Sequence, residues 1–79
     1  MLNANEVNAW ISENGTGHKE WKYINGISYL FATMNDGWIA VFETHDGIYT
    51  PRFQAADEKH AISRCNLSER PNVQFNVFP

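Results

Sequence analysis

Two short stretches hold the side chains most capable of chemistry. Asn35-Asp36-Gly37 and His45-Asp46-Gly47 each set an Asp-Gly pair behind an amide or an imidazole, and the two pairs lie ten residues apart. Brought together, they would make a divided metal site or a proton relay. The remaining soft ligands are His18, His60 and the single cysteine, Cys65. They form no C-x-x-C or H-x-x-x-H pair. His60 and Cys65, five apart on an expected helix, point in different directions. Cys65 falls on that helix's apolar side, where thiols are buried and inert. Ser12, Ser28, Ser63 and Ser68 lack the G-x-S-x-G setting of an activated serine. Asp57 and Glu58 are neighbours and splay apart on a helix. Glu43 is expected opposite Tyr49, within reach of its phenol. No glycine-rich phosphate loop is present.

The elements that would have to position the two Asp-Gly pairs argue against a joint site. From Trp21 onward the apolar period is two, with aromatic and β-branched residues in excess. Candidate strands run over 21–24, 27–34, 38–44 and 48–53. They are linked by Asn25-Gly26, Asn35-Asp36-Gly37 and His45-Asp46-Gly47. Asn-Gly between apolar residues is a strong hairpin signal, and the two three-residue links fit a type I turn closed by a left-handed glycine. Successive turns of a meander lie at opposite ends of the strand they share. About seven residues at roughly 3.4 Å each separate Asp36 from His45–Asp46 by more than about 20 Å. That exceeds metal coordination and proton transfer, so the links read as turns. No catalytic residue, metal or cofactor is expected.

Upstream, Ala4, Val7, Trp10 and Ile11 follow helical spacing over 3–13, with Asn3 or Asn5 as cap. Asn14-Gly15 is expected to end this helix in left-handed conformation, and "TGHKE" to be a polar connector. Downstream, 55–65 reads as a second helix, its cap Gln54 and its apolar face Ala55, Ala61, Ile62 and Cys65. Pro51 marks the fourth strand as an edge. In "NVQFNVF", Val73, Phe75 and Val77 alternate with Asn72, Gln74 and Asn76, the pattern of a last strand with one buried face. The expected fold is a single α+β domain over residues 1–79, in the order α-β-β-β-β-α-β.

The turns set register, and register sorts the side chains. One sheet face should carry Trp21, Tyr23, Leu30, Met34, Trp38, Phe42, Ile48, Thr50 and Arg52. The other should carry Ile24, Ile27, Tyr29, Phe31, Ile39, Val41, Tyr49 and Phe53, the main core under the second helix. The first face is apolar enough to need cover. The first helix, a protein partner or a second copy of the chain would each supply it. Trp21, Tyr23, Trp38, Phe42 and Arg52 are the candidate partner-binding residues, since Trp, Tyr and Arg dominate interface hot spots.

Composition narrows the function. The chain has 79 residues, six basic and nine acidic side chains, net charge −3 and 14% aromatics. Such a chain forms one modest core. Its scattered, mildly acidic charge disfavours a nucleic-acid backbone partner. One cysteine forms no internal disulfide, the N-terminus lacks a signal-peptide pattern, and no apolar run reaches the roughly 20 residues of a membrane helix. A cytoplasmic protein without membrane association is expected. The α-β-β-β-α order resembles double-stranded RNA-binding domains in topology. That family, however, places lysines at the start of its second helix, where this chain reads "AADEKH". The leading expectation is a small non-enzymatic module that binds a protein partner, with homodimerisation as an option. Inhibitors carried by phages or mobile elements, such as anti-CRISPR proteins, share this general profile, as do toxin-immunity proteins. The alternatives are single-stranded nucleic-acid binding by an aromatic sheet face and a small enzyme or enzyme subunit.

Overall fold

The computed structural model describes residues 2–67. Its elements are α1 (Ala4–Asn14), β1 (Gly15–Ile24), β2 (Ile27–Met34), β3 (Ile39–His45), β4 (Ile48–Ala55) and α2 (Glu58–Asn66). The strands form one antiparallel sheet in the order β1-β2-β3-β4, with a helix packed on each face. This is the expected α+β meander. The strand expected across "NVQFNVF" lies outside the described residues.

Each helix starts where its cap puts it. Asn3 accepts the Glu6 amide at 2.9 Å, and the Glu6 carboxylate accepts the Asn3 amide at 3.0 Å, a reciprocal capping box. In α2 the cap is Asp57, which accepts the His60 amide at 2.8 Å. Gln54 and Ala55, expected to open that helix, belong instead to β4.

α1 does not end in a left-handed residue. Gly15 is extended (φ −116°), and the chain passes directly into β1. Glycine is required there for space. A Cβ at position 15 would meet the carbonyl oxygens of Ile11 and Thr33, each at 2.9 Å. The "TGHKE" connector is the first half of β1, interrupted by a bulge between Gly15 and Lys19. An edge strand with a solvated face needs no apolar alternation, so its sequence looked like a loop.

Turn lengths decide the register. Asn25-Gly26 and Asp46-Gly47 both have positive φ at both positions, the type I′ signature of a two-residue turn. Asn35-Asp36-Gly37 is the expected three-residue link, with left-handed Gly37 and the Asp36 carboxylate accepting the Trp38 amide at 3.0 Å. The third link is thus one residue shorter than expected, and His45 pairs with Ile48. Ile48, Tyr49 and Thr50 therefore exchange faces. A bulge beside Val41/Phe42 then takes up one more residue, so Phe53 returns to its expected face but pairs with Val41, two positions from the Ile39 that a three-residue link would set opposite it. The two one-residue offsets add to two, and a strand's period of two restores the face without restoring the register.

The core is divided by the sheet. On one face Val7 and Ile11 of α1 pack with Leu2, Leu30, Ala32, Met34, Ala40 and Phe42, with Trp10 and Tyr49 partly buried beside them. On the other, Ala61 and Cys65 of α2 pack with Tyr29, Phe31, Ile39, Val41, Phe53 and Ala55. Among the described residues neither face is the main core, contrary to the sequence-based expectation. Each helix closes an apolar cluster of similar size.

Candidate interaction site

The five candidate partner-binding residues do not share one surface. Phe42 is fully buried, its ring meeting Trp10 edge-to-face at 5.7 Å, so it is a core residue. Arg52 sits at the β4 bulge and donates to Glu43 Oε1 at 3.1 Å, away from the Trp-bearing face. Glu43 therefore meets Arg52 rather than Tyr49. Trp38 is 45% exposed and lies opposite Met34, its carbonyl oxygen accepting the Met34 amide at 2.7 Å. Trp21 lies opposite Leu30, four residues along the same strand, or about 13 Å away. Trp21 and Tyr23 remain together, 59% and 76% exposed on β1.

α1 explains this division. It spans the middle of its face, over Leu30, Ala32 and Phe42, and leaves the Trp21–Tyr23 corner open. Tyr49, brought to this face by the two-residue turn, meets Trp21 at 6.1 Å between ring centroids. A groove of about 430 Å³ opens beside them, walled by Trp21, Ser28, Thr44 and Tyr49 and by the tips of both I′ turns.

β1 is also a sheet edge. A two-residue turn closes on a hydrogen-bonded pair, so Ile24, Lys22 and Glu20 face β2 with their backbone groups. The alternate residues Tyr23, Trp21 and Lys19 turn their N–H and C=O groups outward. Among the described residues no hydrogen bond reaches those groups at Trp21 or Tyr23. The opposite edge follows the same rule and is closed at Tyr49. The outward groups of Tyr49 exchange hydrogen bonds with Leu2 at 2.9 and 2.8 Å, and Pro51 has no N–H to offer.

The reverse side of β1 is charged. Lys22 Nζ lies 3.0 Å from Glu20 and 2.7 Å from Glu58 of α2, and His18 lies 3.0 Å from Glu20. Hydrogen bonding to Glu58, then to Glu20, raises the Lys22 pKa. The hydrogen bond from Lys22 and then that from His18 lower the Glu20 pKa. On the aromatic side, Lys19 donates to Asn8 of α1 at 2.9 Å.

The other side chains singled out for chemistry have local roles. Asp36 closes its own turn and Asp57 caps α2, with His60 Nδ1 2.7 Å from that cap. The turns bearing Asp36 and Asp46 lie at opposite ends of β3. Burial pushes the Cys65 thiol up to about 11, which keeps it protonated at neutral pH. Among the described residues no three His, Cys, Asp or Glu side chains converge as a metal site.

The sequence-based reading missed Tyr49 and the charged row His18–Glu20–Lys22. The signal for Tyr49 was present, since Asp-Gly alone satisfies a I′ turn. The charged row was hidden in an apparent connector. No family model, curated protein or solved structure matches the chain.

Proposed function

We propose that the chain is a non-enzymatic protein-binding module that acts through the Trp21–Tyr23 corner of β1, as a small inhibitor of a partner protein or complex. One observation carries this reading. Two large aromatic side chains stand 59% and 76% exposed on a strand where their own outward backbone groups make no bonds among the described residues. Extended partners dock on such edges, with main-chain hydrogen bonds for affinity and aromatic anchors for specificity. The adjacent groove offers room for a partner side chain.

The test is affinity capture from lysate of the source cell with immobilised wild type, Trp21→Ala/Tyr23→Ala and Trp38→Ala. All three proteins are first shown folded by circular dichroism. Wild type and Trp38→Ala should retain the same protein, and the double variant should lose it. Equal retention by all three, or none by wild type, overturns the reading. Tryptophan quenching by an oligonucleotide that disappears at high salt would transfer the same corner to single-stranded nucleic acid.

A further inference from the structure

We propose that β1 pairs along its open edge with β1 of a second copy of this chain, antiparallel and centred on Trp21. The inference rests on the reading of the β1 edge as the interaction surface and names its partner. Three features support it.

Backbone phase comes first. Lys19, Trp21 and Tyr23 carry the outward N–H and C=O groups. A two-fold axis at Trp21 sets Trp21 opposite Trp21 and Lys19 opposite Tyr23 of the second copy. Each such pair exchanges two main-chain hydrogen bonds.

Charge selects this register. With Trp21 at the centre, Glu20 stands opposite Lys22 of the second copy on both sides of the axis. Moving the axis by one residue either way preserves the backbone phase but sets Glu20 against Glu20, or Lys22 against Lys22. Like charges directly opposite are unfavourable, and opposite charges favourable. The new pairs would extend the existing row of His18, Glu20, Lys22 and Glu58. On the aromatic side, the Lys19 stem and ammonium would meet the ring of Tyr23 of the second copy.

Closure is the third feature. The β4 edge is occupied at Tyr49 by Leu2 and blunted by Pro51. With β1 the one edge left open among the described residues, pairing ends at a two-fold dimer rather than a filament.

The experiment is sedimentation equilibrium on the full chain over a range of concentrations. Wild type should show a monomer–dimer equilibrium. Glu20→Lys and Lys22→Glu should each raise the dimer Kd roughly fivefold or more, because every dimer contains two such pairs. The combined Glu20→Lys/Lys22→Glu exchange should regain the dimer. Trp21→Pro removes an outward donor that its own sheet does not use, and should be folded and monomeric. If that variant fails to fold, the charge exchange still decides. A wild type that stays monomeric, a dimer that survives in folded Trp21→Pro, or an exchange that restores nothing overturns the pairing. A monomeric wild type that captures a protein through Trp21 and Tyr23 overturns the dimer alone. A dimer that captures nothing overturns the inhibitor reading alone.

Discussion

Phe42 shows how one residue's role depends on what lies above it. Its aromatic type suggested a binding anchor, yet it is fully buried beneath Trp10. Phe42→Ala should cost about 3–5 kcal/mol, by lost transfer free energy and the cavity left behind. In a domain this small, chemical denaturation should show the variant largely unfolded. Cys65 makes the opposite case, a reactive type silenced by place. Its thiol, raised to about 11 by burial, should resist alkylation near pH 8 in the native state and react at an ordinary rate once denatured. Native labelling as fast as denatured labelling would remove this assignment. Residue type was legible in both cases. Accessibility was not, because it depends on where α1 and α2 come to rest.

At the scale of elements, turns and caps do most of the specifying. Gly47 has φ +79° and open space around its Cα. Gly47→Ala therefore meets no clash, and its cost is purely conformational, about 1–2 kcal/mol. The loss should appear as a lower denaturation midpoint with an unchanged slope. Asp57→Ala removes the α2 cap and should cost about 0.5–2 kcal/mol by the same measurement. The strands β2 and β3 were readable almost to the residue, since their apolar periodicity was flanked by Asp-Gly and Asn-Gly. β1 was half hidden because its first five residues are polar. The register of β4 was misassigned by one residue at Asp46-Gly47. That slip moved Tyr49 to the aromatic face, and the bulge with Arg52 concealed it further along.

For the whole molecule, the charge row beneath β1 and the α2 cap make stability depend on pH at both ends. The Asp57 pKa is held below its ordinary 3.8, chiefly by the His60 amide, and Glu20 below its ordinary 4.5 by Lys22. Their contribution is complete above those ordinary values and is lost as pH falls through the lowered ones. The Lys22 pKa is raised above 10.5, so its contribution is complete below that value and is lost as pH climbs past it. Thermal melts should therefore show a plateau through neutral pH with declines at both extremes. Salt should shrink these declines, because all three groups are solvated. A melting temperature that keeps rising below pH 4 would refute the acid limb.

Local chemistry in the sequence determined the helix at Asn3–Glu6, the three turns, the antiparallel meander and the separation of the two Asp-Gly pairs. Each follows from residues within a few positions of one another, through capping geometry, positive φ and strand length. Tertiary structure alone decided which aromatics remain exposed, because that depends on how far α1 reaches across the sheet. It also decided that one sheet edge is closed at Tyr49 by Leu2 while, among the described residues, nothing bonds the other at Trp21 and Tyr23. Those outcomes arise from contacts between distant parts of the chain, and no local pattern encodes them.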